Sequence, residues 1–209
     1  AGWGTIGDSR IRMEFPISQG RLVGNGKRTQ PLKADYVLQY RGRNLAVIEA
    51  KSDEKECAEG VAQAKDYAGR LQVRFTYSTN GKEIYQMDMM EGTEGRVDSY
   101  PTPDELWKMT FDEEDAANPD AVEWRDKLIS VPFEDRGGTW QPRYYILNAI
   151  TNVIEAIAKG QDRILLTLAT GTGKTSIAFQ IAWKLFHSRW NLQRDGKRLP
   201  RILFLADRN

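Results

Sequence analysis

The sequence predicts an α/β protein in two successive parts, a mixed sheet with flanking helices and then the start of a parallel α/β domain. Three observations carry this. Strand-like runs at 33–40 and 44–51 lead straight into a helical period; an Asn80-Gly81 pair separates two further strand-like runs; and from residue 163 an apolar run, a glycine-rich loop, a helix and a second apolar run follow one another.

"KADYVLQY" (33–40) and "NLAVIEAK" (44–51) are joined by "RGR", a short glycine-containing turn, and form a β-hairpin. From Ser52 the pattern changes to helical spacing, with Ala58, Val61, Ala62, Ala64, Tyr67, Ala68 and Leu71 along "SDEKECAEGVAQAKDYAGRL". Ser52 or Asp53 is available as N-cap, so the spacing predicts a helix of about five turns. "VRFTYSTNGKEIYQMDM" adds two strands around Asn80-Gly81, the strongest short hairpin signal in the chain.

Residues 98–139 are rich in acids, Pro and Gly, with room for a short helix or two, and are expected to connect two domains. The division expected is 1–100, a connecting segment 101–135, and a second domain 136–209. An amphipathic helix is predicted from Gln141 to Lys159, with Tyr145, Ala149, Ile150, Val153, Ile154, Ile157 and Ala158 on one stripe and Gly160 as its stop. After it, "RILLTLA", a helix from Lys174 to Trp190 and "RILFLA" predict a parallel βαβ unit with both strands buried.

With 209 residues, 40% of them hydrophobic, the chain can build real cores. The net charge of +1, from 30 basic and 29 acidic residues, carries no information about partners, but its distribution does. Residues 1–51 hold nine Lys or Arg against four acids, 101–135 three against eleven, and 136–209 twelve against four. The single cysteine, Cys57, excludes an intramolecular disulfide, and there is no signal peptide or apolar run of membrane-spanning length. A cytoplasmic protein without a membrane partner is expected. The ends look cut, opening on "AGWGTIG" without Met and stopping at "RILFLADRN", as in a fragment of something longer.

"LATGTGKTS" (168–176) joins the predicted strand to its helix. Gly171 and Gly173 let the backbone of Thr170 to Gly173, Thr172 included, fold into a nest of N–H groups facing phosphate oxygens. Lys174 then reaches the terminal phosphates of ATP, and Thr175 can ligate Mg²⁺. Leu168 stands where the common phosphate-loop pattern has its first Gly. The form Ala-x-x-Gly-x-Gly-Lys-Thr resembles superfamily 2 helicases and translocases, which implies a RecA-like motor domain. No acidic Walker B residue follows, so the chain by itself lacks parts needed for efficient hydrolysis.

Asp35 lies fourteen residues before Glu49 on the first strand of the hairpin, and Glu49-Ala50-Lys51 closes the second. Side chains two apart on a strand share a face, so Glu49 and Lys51 project together, and pairing across the turn brings Asp35 toward them. Mg²⁺ typically takes one or two protein carboxylates plus phosphate, so Asp35 and Glu49 suit a metal held against a phosphodiester, with Lys51 orienting water or offsetting charge. Asp-x13-Glu-x-Lys followed by Gln63 and Tyr67 on the next helix resembles the PD-(D/E)xK nucleases of the Gln/Tyr subgroup, in which those two residues position substrate or support the metal site.

A restriction-endonuclease-like domain followed by a superfamily 2 motor resembles the restriction (motor) subunit of type I restriction-modification enzymes. "AGW", "ADYVLQYRGRNLAVIEAK", "EGVAQAKDYA", "TYSTNG", "PRYYILNAI", "LATGTGKT" and "FLADRN" fall in that family's order. The resemblance implies Mg²⁺-dependent cleavage of double-stranded DNA, ATP-driven translocation, and assembly with modification and specificity subunits. One departure is Ile146, where the family often has the Gln of a helicase Q motif; adenine contact could fall to Gln141 or Tyr145. Glu14 is a weak counterpart of any acid the family supplies from an earlier helix. Arg10, Arg12, Arg21, Lys27, Arg28 and Lys33 are candidate phosphate contacts, while His187 is expected on a helix surface and Cys57 to be inert. Two rivals share these motifs: a stand-alone helicase-nuclease of another DNA defence or repair system, and a catalytically silent DNA-binding module.

Overall fold

The computed structural model describes residues 1–206 except 19–21, 24–26, 29, 136 and 139–141; for 22, 23, 27, 28 and 112–114 it describes the backbone alone. Arg21 and Gln141, and the side chains of Lys27 and Arg28, therefore lie outside the described residues. The chain divides into two compact units, 1–117 with 143–148, and 118–142 with 149–209.

The first unit is a six-stranded mixed sheet. Its strands are β1 (Arg10–Ser18), β4 (Leu32–Tyr40), β5 (Arg43–Ala50), β6 (Phe75–Thr79), β7 (Ile84–Asp88) and β8 (Glu94–Val97), adjacent in that order. The pair β2 (Leu22–Val23) and β3 (Lys27–Arg28) forms a separate two-stranded ribbon. The predicted hairpin is present, and Arg41 and Gly42 both take positive φ (47° and 71°), the conformation of a type I′ turn. Asn80-Gly81 also turns the chain between β6 and β7, its Asn80 Oδ1 accepting the amides of Lys82 and Glu83. Neither edge strand, β1 nor β8, was among the strands predicted.

Among the described strands only β5 and β6 run parallel, and the link between them is helical. The helix expected from Ser52 begins later: Cys57–Gly60 is a single 3₁₀ turn and α1 covers Val61–Leu71, so neither Ser52 nor Asp53 caps it. A reciprocal pair of bonds holds this turn: Ser78 Oγ donates to the Cys57 carbonyl (2.6 Å) and Cys57 Sγ donates to the Ser78 carbonyl (2.8 Å), which ties residue 57 to β6.

The two faces of the sheet bury different cores. Val37 and Val47 point to the face covered by α1, where they pack with Ile17, Tyr67, Ala68 and Leu71. Leu38, Ala46 and Ile48 point the other way, toward Leu106 and Trp107 of α2 (Pro103–Ala117). The acidic segment is thus not a plain connector: α2 belongs to the first unit, and α3 (Pro119–Ser130) to the second. Thr102 and Glu105 form a capping box at the start of α2, and Asn118 caps α3 by accepting the Ala121 amide at 3.0 Å.

In the second unit, α5 (Lys174–His187) grips the stretch after α3. Gln180 bonds both the amide and carbonyl of Glu134, and Lys184 donates to the Leu128 and Val131 carbonyls. Burial pulls the Lys184 ammonium down to about 8. α4 (Tyr144–Ala158) carries the predicted stripe from Ala149 to Ala158, buried throughout, and stops at Gly160, whose φ is +80°.

The predicted βαβ unit is not formed among the described residues. Residues 163–169 and 201–206 pair with no strand, and Leu165 and Leu203 are 90% and 82% exposed. A strand buried on both faces needs neighbours to satisfy its backbone and helices to cover it, and here these runs have neither.

Leu71 anchors α1 on the sheet. Leu71→Ala is expected to lower stability by about 2–5 kcal/mol, read as a lower urea midpoint with an unchanged slope.

Candidate active site

The last backbone pair between β4 and β5 at this end of the hairpin is Tyr36↔Ile48. One step further, the side chains take over. Glu49 Oε1 accepts the Asp35 amide at 3.3 Å, and Asp35 Oδ2 accepts the Ala50 amide at 2.8 Å. Each strand's carboxylate thus supplies an acceptor to the other strand's backbone. This brings the two acids together at one sheet end, on the face that Val37 and Val47 share with α1.

Glu49 is 0% exposed, and its Oε2 has no hydrogen-bond partner. Lys51 Nζ approaches that oxygen no closer than 3.8 Å. Burial first, and then the Asp35 charge, push the Glu49 carboxyl up to about 7. An acceptor buried without a donor costs stability, and this oxygen could take a cation.

Lys51 lies one residue past β5. Its amide donates to the Thr79 carbonyl at 2.7 Å, extending the pairing with β6. Its ammonium donates to Gln63 Oε1 at 2.9 Å, and Gln63 Nε2 donates to Tyr67 Oη at 3.2 Å. Gln63 and Tyr67 are four apart on α1 and share one face. Because Tyr67 takes the amide nitrogen, the amide oxygen is left facing Lys51. Tyr67 is buried, and desolvation raises its hydroxyl above the usual range, so it keeps its proton.

All five residues predicted from the sequence converge here. Two carboxylates can hold a hard divalent cation by oxygen ligands; among the described residues no group of three His, Cys, Asp or Glu does so. Glu14 does not join them: it pairs with Lys33 at 3.2 Å and is 67% exposed. Arg10 and Arg12 lie exposed on β1, with Arg12 Nε donating to Gln39. Sequence reasoning missed Gly60. A Cβ there would fall 2.2 Å from Ser78 Oγ and 3.2 Å from Lys51 Cε, so any larger residue forces a neighbour to move. The signal was available as a glycine interrupting a helical pattern.

The glycine-rich loop has a nest-like backbone. Gly171 and Gly173 take φ of +75° and +90°, Thr172 Oγ1 donates to the Ala169 carbonyl, and α5 starts at Lys174. Lys174 Nζ donates to the Leu168 carbonyl at 3.1 Å, which keeps it over the loop. Thr170 and Thr175 are exposed beside it. Ile146 is buried, so its side chain cannot replace a Q-motif Gln, while the Tyr145 hydroxyl accepts from Arg143. His187 is on the exposed face of α5, against the Trp183 ring. No helix is long and apolar enough to cross a membrane among the described residues.

Comparison with known proteins gives four findings. Residues 139–209 match the family model "Type III restriction enzyme, res subunit". The chain is 38% identical over its whole length to the type I restriction enzyme EcoAI endonuclease subunit of Escherichia coli, covering 25% of that protein. It is 33% identical, over 66% of its length, to the EcoKI endonuclease subunit of Escherichia coli (strain K12), covering 11% of it. A solved structure described as an HsdR-subunit fragment of a type I restriction enzyme from Vibrio vulnificus YJ016 matches 96% of the chain at TM-score 0.78 and 38% identity, with 37% of that structure covered. The chain spans a quarter or less of the length of these curated relatives.

The raised Glu49 carboxyl has a consequence for stability. Its folded value lies above the unfolded one of 4.5, so the folded state keeps a proton that the unfolded chain has lost. Its contribution is neutral below about pH 4.5 and turns unfavourable as pH rises to about 7, by about 3 kcal/mol in all. Glu49→Gln removes this penalty. In chelator-containing urea titrations, its stability relative to wild type should rise across pH 4.5 to 7 and then level off.

Proposed function

The chain is HsdR-like, similar along its whole length to an endonuclease subunit of type I restriction enzymes, and from that premise we propose that its first unit hydrolyses double-stranded DNA with Mg²⁺. We further propose that the full-length subunit couples this to ATP-driven translocation and works with modification and specificity subunits. The observation that carries the nuclease proposal is the carboxylate exchange between Asp35 and Glu49, with its unpartnered buried oxygen beside Lys51.

Asp35 and Glu49 would hold the metal, and the orphaned Oε2 is the fit that favours it. Bound there, Mg²⁺ supplies a Lewis acid that lowers the pKa of water and offsets phosphate charge. Lys51 is held at a fixed place by Gln63, whose amide is in turn fixed by Tyr67. An ammonium has three donors, so with one given to Gln63 the others can meet a phosphodiester oxygen or the attacking water. Tyr67 takes no part in proton transfer, because burial holds its proton in place.

In the second unit, Thr170 to Gly173 would cradle the phosphates of ATP, with Lys174 on the terminal phosphates and Thr175 on Mg²⁺. Supporting this are the two positive-φ glycines and the helix that starts at Lys174. Arg10, Arg12 and Lys33 are proposed to contact the DNA backbone.

In the full-length subunit assembled with its partner subunits, Lys51→Ala is expected to reduce DNA cleavage on the order of 100-fold or more and spare ATPase. Lys174→Ala is expected to lose both. Plasmid cleavage and phosphate release measured in parallel check this, and wild-type cleavage by Lys51→Ala would overturn the nuclease assignment.

A further inference from the structure

We infer that Gly60 and Ser78 are positioning residues for Lys51: together they form the saddle over which its side chain crosses to reach the carboxylates. This rests on the nuclease function proposed above and adds two residues outside its Asp, Glu, Lys, Gln and Tyr set.

Lys51 is fixed at both ends of its side chain. Its amide is tied to Thr79 and its ammonium to Gln63. Between these anchors, the methylene stem runs past Gly60, where a Cβ would sit 3.2 Å from Lys51 Cε. The same Cβ would sit 2.2 Å from Ser78 Oγ and 3.3 Å from Ser78 Cβ, on the β6 side. Distances under 3 Å are not tolerated by a real methyl group, so something must move. β6 is a poor candidate, because Ser78 is 0% exposed and lies beside Glu49 in the parallel β5·β6 register.

Ser78 also sets how close the turn comes. Its hydroxyl and carbonyl hold Cys57 by the reciprocal bonds described above, which draws Cys57–Gly60 onto β6 and starts α1 directly afterwards. Gln63 lies three residues beyond Gly60. The height of that turn above the sheet therefore fixes where Gln63 Oε1 meets Lys51. A substitution at 60 lifts the turn, shifts the Lys51 stem, or both, without touching either carboxylate.

Misplacing a reacting group by about 1 Å can cost on the order of 100-fold in rate. The test uses the full-length subunit assembled with its partner subunits, and reads single-turnover plasmid cleavage, ATPase, and the rise in melting temperature on adding Mg²⁺. Gly60→Ala is expected to cleave on the order of 100-fold more slowly while ATPase and the Mg²⁺ shift persist. Ser78→Ala should cleave about tenfold more slowly with the same two readouts unchanged, and Gly60→Ala/Ser78→Ala should recover at least about tenfold over Gly60→Ala, since the hydroxyl that the new methyl strikes is gone. Wild-type cleavage by either single variant, a double variant no faster than Gly60→Ala, or a loss that takes the Mg²⁺ shift with it would overturn the inference. If Gly60→Ala does not fold, Ser78→Ala decides alone, with wild-type cleavage counting against. Lys51→Ala run alongside separates the two levels: if it cleaves normally the nuclease assignment fails, and if it is inactive while Gly60→Ala cleaves normally only the positioning role fails.

Discussion

The site depends on two amides that accept help from the wrong place. At the end of the β4–β5 ladder, the Asp35 and Ala50 N–H groups are met by carboxylates instead of backbone carbonyls. That substitution holds two like charges together, which no sheet would do for stability. Removing Glu49 from water raises its carboxyl to about 7, and Oε2 is left without a donor. Such a local conflict stands out inside an otherwise well-packed face, because each of its terms costs stability. The rest of the first unit makes that conflict sustainable: Val37 and Val47 on the same face, closed over by Tyr67, Ala68 and Leu71, keep Glu49 from solvent, while Asp35 stays half-buried.

Topology explains why the lysine and the helix arrive at the same spot. A parallel pair cannot be joined by a tight turn, so the chain must cross from one end of β5 to the other end of β6 over a face of the sheet. β5–β6 is the only parallel pair among the described strands, and α1 is its crossover. The crossover leaves from the carboxyl end of β5, where Glu49, Ala50 and Lys51 lie, and its helix covers the face to which Glu49 points. Gln63 therefore reaches Lys51, and Tyr67 reaches Gln63, because the crossover passes over this face. Ala50, whose amide bonds Asp35, faces away from this cluster, and its small side chain is exposed.

How much of this the sequence discloses follows from the range of each determinant. The hairpin, the Asn80-Gly81 turn and the five converging residues are encoded within short stretches: period-two alternation, a turn needing positive φ, and a four-residue helical gap. Thr102-Pro103-Asp104-Glu105 is equally local, a capping box opening α2, and the acid-rich composition around it obscured the signal. The start of α1 was misplaced because Ser52 and Asp53 are good caps in isolation. Ser78, more than twenty residues away, bonds the Cys57 carbonyl and ties the turn Cys57–Gly60 to β6, and α1 starts only at Val61. β1 was missed for a related reason: "RIRMEFPIS" is exposed along most of its length, and an edge strand defined by its partner carries little hydrophobic pattern.

The second unit separates local from non-local coding most sharply. Gly171 and Gly173 adopt positive φ, Lys174 turns back over the loop and α5 begins where expected, although neither flanking apolar run is a strand. The nest needs only two residues without a Cβ and a helix N-terminus, all within 171–175. The runs at 163–169 and 201–206 need partners on either side and cover on both faces, and their hydrophobicity encodes that need without encoding who meets it. Exposed Leu165 and Leu203 express the same requirement as surface. A glycine-rich nest is thus legible wherever its few residues occur, whereas a parallel sheet is a property of many segments together.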